Sequence, residues 1–264
     1  MSQECSSEEM VLVRSDRNSI AYLTLNRPNY LNCLSEALLT SLELEFNRIN
    51  HDKSVKCVVL AANGRAFCAG HDLREMQSKS SSDYYRWLFT LCSRMMQAIS
   101  NISVPVIAKV HGDATAAGCQ LVAACDIAIA SSSVRFAAAG INLGSFCATP
   151  AVAITRKLPV KSAFEMLFTG RFINAETAEK LGLINYSVAP NELDIAVENI
   201  ATEIASKSRA ALSFGKSQFY TQRQMSLKEA YSFATEALAC NLVEEDAIEG
   251  IDAFLNKRKP QWKS

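Results

Sequence analysis

The chain has 264 residues, with 27 lysines and arginines set against 27 aspartates and glutamates. A zero net charge supplies no bulk attraction to nucleic acid or to an acidic surface. At 49% apolar residues the chain can bury a substantial core, and no uninterrupted apolar run reaches membrane-spanning length.

Met10–Arg14 and Ile20–Leu25 are short β-type runs around Asp16-Arg17-Asn18, which predicts a hairpin. Arg27-Pro28 then breaks the strand. Ser35 can cap a helix whose apolar positions, Leu38, Leu39, Leu42, Phe46 and Ile49, follow a helical period. Val55–Ala61 is a continuous apolar run of strand length and predicts a buried strand. Gly64–Leu73 reads as a loop, with Asp72 capping a helix after it, and Ser78–Ser82 as a polar, mobile loop. From Asp83 a long helix carries Trp87, Leu88, Leu91, Met95 and Ile99, read as core residues. Val104–Val110 and Asp126–Ala130 are further buried strands around a short helix that starts near Gly118. Beyond about Ala148 helical patterns dominate, at 164–168, 175–181, 192–207, 209–220, 227–242 and 246–256, with one short strand at 184–188. Strands and helices that alternate in this way predict an α/β architecture with crossover connections, followed by a helical region.

The nine cysteines form no Cys-x-x-Cys pair and no cluster with zinc spacing. They read as small buried hydrophobes in a reducing compartment, and no metal is expected. MSQECSSEEM at the start is polar and acidic, unlike a secretory or mitochondrial leader. The expected location is cytoplasmic, or mitochondrial if a leader has been removed.

Chemistry points to two loops of small residues, each following a buried strand. His111–Ala130, HGDATAAGCQLVAACDIAIA, leaves almost no side-chain bulk at Ala114, Ala116, Ala117 and Gly118. The amides of Ala117 and Gly118 fall among the helix's unpartnered first N–H groups, where the dipole is also positive. Such a site suits an oxygen that becomes anionic during reaction; a tight helix crossing would need small residues as well. Ala69-Gly70-His71-Asp72 is the second loop. If the loops face one another, the His71 and Ala117 amides converge on one oxygen as an oxyanion hole. Cys119 and Cys147 lack an evident histidine partner, which argues against nucleophilic catalysis. His111 reads as a structural histidine and Asp113 as a turn residue, with a relocated catalytic base as the alternative for Asp113.

Six segments in order resemble the crotonase (enoyl-CoA hydratase/isomerase) family: LNRPNYLN (25–32), GRAFCAGHDL (64–73), HGDATAAGCQLVAACDIAIA (111–130), FAAAGINLG (136–144), EMLFTGRFINAETAEKLGLIN (165–185) and EGIDAFLNKRKPQW (249–262). The resemblance implies a spiral of ββα units over 1–200. It implies a helical region over 201–264 for trimerisation and for covering CoA, in a homotrimer or dimer of trimers, with no nucleic-acid or membrane partner. It implies an acyl-CoA thioester as substrate, coenzyme A being part of that substrate and no cofactor being covalently bound. The thioester oxygen would sit between the amides of His71 and Ala117, which stabilise an enolate. Asn29, Tyr30, Leu31, Ala69, His71, Asp72 and Leu73 would hold the CoA adenine and pantetheine. Phe254 and Lys257 would close over it, from the same or a neighbouring subunit, although a basic last turn also suits a helix dipole.

The departures from the family pattern bear on the reaction. The two glutamates of a hydratase align with Gln120 and Gly140, and the carboxylate of dienoyl-CoA isomerases aligns near Ala148. Gln120 can orient water but does not titrate in a useful range. Hydration needs both a base and an acid, so conventional hydratase turnover is expected to be weak. His71 stands where most hydratases carry alanine; members that decarboxylate malonyl-type acyl-CoAs resemble this chain there, although their tyrosine aligns with Cys147. A CoA-binding scaffold without chemistry is the non-enzymatic alternative.

Overall fold

The computed structural model describes residues 10–264. The acidic first nine residues, on which the leader reading rests, lie outside the described part. Strands β1 (Leu12–Arg17) and β2 (Ile20–Leu25) form the expected hairpin. Its turn is Asn18-Ser19 rather than Asp16–Asn18: both residues have positive φ, 52° and 61°, which matches the right-handed twist of the flanking strands. Helix α1 (Glu36–His51) starts where the Ser35 hydroxyl accepts the Leu38 N–H, and its buried residues are the five of the predicted stripe.

Three ββα turns follow. β3 (Cys57–Ala62) runs into β4 (Ala66–Cys68) and then helices α2 (Leu73–Ser78) and α3 (Ser82–Asn101). β5 (Val106–Val110) and β6 (Asp113–Thr115) lead to α4 (Ala117–Ala124), and β7 (Ile127–Ser131) and β8 (Arg135–Ala137) to α5 (Ala148–Ile154). The long strands β2, β3, β5 and β7 pair in parallel within a six-stranded sheet. β3, β5 and β7 each then hand the chain to a short strand, and β4, β6 and β8 pair in parallel in a second sheet. These turns form the α/β spiral that the resemblance implies. Helices α6 (Val160–Thr169) and α7 (Ala175–Lys180) flank β9 (Ile173–Asn174), and β10 (Tyr186–Val188) completes the first sheet.

Helix α8 (Leu193–Ala205) explains why the long strands read as mostly apolar runs. Its Leu193, Val197 and Ala201 cover Ile20, Val59, Ile107 and Ile129 on one face of the sheet, while α1 and α3 contribute to the main core. A parallel sheet covered on both sides has no polar face to alternate with. Helices α9 (Arg209–Gln222), α10 (Leu227–Asn241) and α11 (Glu245–Leu255) end the chain. α9 is pinned to the spiral by buried Lys216, whose Nζ donates to the carbonyls of Ile99 and Val104 at 2.7 and 2.9 Å and to Asp126 at 2.7 Å. Tyr220 donates to the other Asp126 oxygen at 2.6 Å.

The short strands replace what the sequence presents as loops. Asp113, read as a turn residue, lies in β6; its carboxylate accepts the Arg135 N–H at 2.9 Å and the Arg135 guanidinium at 2.6 Å. These bonds engage both oxygens and give the residue a structural task. His111 Nε2 donates to the Gly64 carbonyl at 2.7 Å, in keeping with its structural reading. Only Lys79–Ser81 separates α2 from α3. Among the described residues no helix is long and apolar enough to cross a membrane.

Candidate functional site

The site forms where β4 and β6 deliver the chain into helices. Leaving β4, the backbone bridges to Leu34: the Leu34 N–H donates to the Gly70 carbonyl at 2.8 Å, and the Asp72 N–H donates to the Leu34 carbonyl at 3.3 Å. In a parallel bridge the residue between those two groups directs its own N–H away from the partner. That residue is His71. Leaving β6, Ala116 is held by its N–H to the Ala137 carbonyl at 2.8 Å. It adopts φ 50°, ψ −118°, a conformation that normally calls for glycine. Strain of this kind is maintained by surrounding structure and concentrates at functional positions. Here it sets the orientation of the next peptide, whose N–H belongs to Ala117. α4 begins there, one residue before the expected start, and a first helical residue has no intrahelical acceptor.

Two glycines bring the loops together. A Cβ on Gly70, whose φ is 101°, would lie 3.1 Å from the Ala116 Cβ and 3.5 Å from the Ala117 nitrogen. A Cβ on Gly118 would lie only 2.0 Å from the Cys68 carbonyl oxygen. The first turn of α4 thus rests directly on the end of β4.

Both loops open into one cavity of about 750 Å³. Of the predicted site residues, His71 and Ala117 line it together with Asn29, Tyr30, Leu31, Ala69, Asp72 and Leu73. Gln120, one helical turn into α4, is buried and is not on the wall, and its Oε1 has no hydrogen-bond partner. Phe254 is 82% exposed near the end of α11 and Lys257 is exposed just beyond it; neither lines the cavity of its own chain.

The wall carries a single carboxylate among the described residues, and it is engaged. Asp72 pairs with Arg27 at 2.9 Å and caps α2 by accepting the N–H groups of Arg74 and Glu75. Burial alone would raise its pKa, but the hydrogen bonds from Arg27 and the Glu75 amide outweigh that and hold it below the usual carboxylate range. Arg65 and Arg74 also stand on the wall, with no acidic partner within salt-bridge distance among the described residues.

His71 is neutral at physiological pH, because burial pushes its pKa down to about 4. The nearby Leu34 carbonyl offsets this only in part. Both ring nitrogens are shut off from solvent without a hydrogen-bond partner, and the ring sets its edge against Phe89 at 5.3 Å. Gly140 and Cys147 form a pair the sequence does not announce. The Cys147 sulfur accepts the Gly140 N–H at 3.2 Å and occupies the space a side chain at 140 would enter, 2.7 Å from a Cβ placed there. Burial raises the Cys147 pKa, so its thiol is protonated and a poor nucleophile.

The enoyl-CoA hydratase/isomerase family model matches residues 15–264. Enoyl-CoA hydratase domain-containing protein 3, mitochondrial, from Mus musculus is 43% identical over 256 residues, covering 97% of this chain and 85% of that protein. The crystal structure of an enoyl-CoA hydratase from Mycobacterium smegmatis superposes with a TM-score of 0.95 at 49% identity, over 97% of this chain and 100% of that one. Human enoyl coenzyme A hydratase domain-containing protein 3 superposes with a TM-score of 0.93 at 44% identity, over 96% and 100%. With its spiral of ββα turns and a family match over nearly its whole length, the chain belongs to the enoyl-CoA hydratase/isomerase (crotonase) family.

Proposed function

We propose that the cavity binds an acyl-CoA thioester and polarises its carbonyl between the backbone amides of His71 and Ala117, so that an enolate is stabilised there. The observation that carries this reading is the approach of Gly70 to Ala116 and Ala117, with two amides that the loop hydrogen bonds leave unused. Amide donors fixed in advance on a developing negative charge each contribute roughly a hundred- to a thousandfold in rate. Asn29–Leu31 and Ala69–Leu73 border the same cavity and hold the CoA moiety, with Arg65 and Arg74 as cations for its phosphates. Phe254 and Lys257 reach this moiety from a neighbouring copy in a homotrimer or dimer of trimers. The mitochondrial label of the Mus musculus relative favours a mitochondrial location over a cytoplasmic one.

Conventional hydration is slow in this reading. Gln120 and Gly140 stand where the resemblance puts the glutamates of hydratases, Gln120 is off the wall, and the one carboxylate that the described residues place on the wall is tied to Arg27. Each missing proton-transfer partner costs roughly a hundred- to ten-thousandfold. Crotonyl-CoA hydration, followed by loss of enoyl absorbance, is expected to proceed with kcat/KM at least about ten-thousandfold below the diffusional ceiling of roughly 10⁸ M⁻¹s⁻¹. A rate near that ceiling would refute the assignment.

The same lack of a free carboxylate favours one further reading. Decarboxylation of a malonyl-type acyl-CoA releases carbon dioxide and leaves the enolate directly, so it needs the amides and no general base. Carbon dioxide release from malonyl- or methylmalonyl-CoA tests it; tight CoA binding without turnover on any thioester would point to a scaffold.

A further inference from the structure

Through Phe146 the cavity wall continues outward as exposed aromatic surface. Phe146, on the wall, is 42% exposed and its ring centre lies 5.2 Å from that of Phe168. Phe168 stacks on Phe164 at 4.0 Å, with the rings 13° from parallel. Phe164, Phe168 and Val160 are spaced by four residues along α6, so they form one stripe, and all three are exposed. The adjoining face of α6 already buries Ala163, Met166 and Leu167 in the core. The helix is therefore apolar on two sides, and packing within the chain accounts for only one of them. A contiguous exposed apolar surface joined to a cavity marks a binding surface.

We infer that this aromatic stripe carries the distal part of a long acyl chain, which makes the substrate class a long-chain fatty acyl-CoA. The inference rests on the acyl-CoA reading above. Continuity with the cavity decides the occupant: the stripe starts on the wall at Phe146, in the segment 139–150 that supplies wall not assigned to CoA. A chain leaving the thioester by that side reaches Phe146, and the ring contacts of Phe146 with Phe168 and of Phe168 with Phe164 continue the apolar path onto the stripe. Its methylenes gain there from the same removal from water that drives folding.

The test is binding of butanoyl-, octanoyl- and hexadecanoyl-CoA, below the micellar concentration of the last, to the full chain and to the double variant Phe164→Ser/Phe168→Ser. Full burial gives roughly fourfold in affinity per methylene. For eight half-covered methylenes, hexadecanoyl-CoA is expected to bind at least about tenfold more tightly than octanoyl-CoA. The double variant should lose that gain and leave butanoyl-CoA binding unchanged. Equal affinities for the two longer thioesters would overturn the inference, as would a chain-length gain that survives the substitutions. A fall in sedimentation mass on substitution would also overturn it, by assigning the stripe to a second copy of the chain. Failure to bind even butanoyl-CoA would instead overturn the acyl-CoA reading itself.

Discussion

Gly118→Ala is expected to destabilise the protein by about 3 kcal/mol or more and to abolish acyl-CoA binding. Alanine is the better helix former by about 1 kcal/mol, so propensity alone predicts the opposite sign. Sterics decide the outcome. The new methyl would lie 2.0 Å from the Cys68 oxygen and 2.7 Å from its carbonyl carbon, and these are backbone atoms of a paired strand that cannot swing aside. Relief requires the first turn of α4 to lift from β4, which carries the Ala117 amide away from the His71 loop. Gly215→Ala in α9 is the matched control, since its Cβ meets nothing within 4 Å. It should stabilise by roughly 0.5–1 kcal/mol. Urea midpoints of both variants, with binding measured alongside, check the pair.

Lys216→Met is the second large effect, expected to cost about 3–5 kcal/mol because it strands a buried charge. Lys216 is only 8% exposed, and removing its ammonium leaves Asp126 with Tyr220 and the Val106 N–H as remaining donors. The carbonyls of Ile99 and Val104 lose a donor at the same time. Adding Asp126→Asn to Lys216→Met removes the stranded charge and should recover part of the loss. A double-mutant cycle on urea midpoints therefore shows strong coupling between the two positions; additive losses would show that α9 is held by other contacts.

Sequence pattern was informative wherever a segment is buried on a periodic or continuous face. α1 shows its stripe because Leu38, Leu39, Leu42, Phe46 and Ile49 all point into one core. β3, β5 and β7 show as apolar runs because α8 covers the face that α1 and α3 do not. The second sheet was hidden for a physical reason: β4, β6 and β8 are three residues long, too short to display an alternation. α5 was hidden because no side chain caps it and Pro150 sits in its first turn.

At the site, the small residues around Gly70 and Gly118 were a legible sign of close backbone approach. The left-handed twist at Ala116 was not, since alanine gives no hint of a glycine-type conformation. Nor could spacing tell that Gln120 is off the cavity wall, or that the Cys147 sulfur fills the space beside Gly140. Both depend on how α4 and α5 pack against each other. The stripe of Phe164 and Phe168 has helical spacing, but spacing alone does not say which face of α6 the core takes.

The amides of His71 and Ala117 are proposed to polarise a thioester carbonyl. Difference infrared spectroscopy of an acyl-CoA labelled with ¹³C at that carbonyl reads the polarisation directly. Binding to the wild-type protein is expected to move the stretch to lower frequency. Replacing the Ala116–Ala117 amide by an ester, with lactic acid in place of Ala117, removes that one N–H without added bulk and should shrink the displacement while the protein stays folded by circular dichroism. A bound carbonyl that absorbs where it does in an apolar solvent, in wild type and variant alike, would contradict the account.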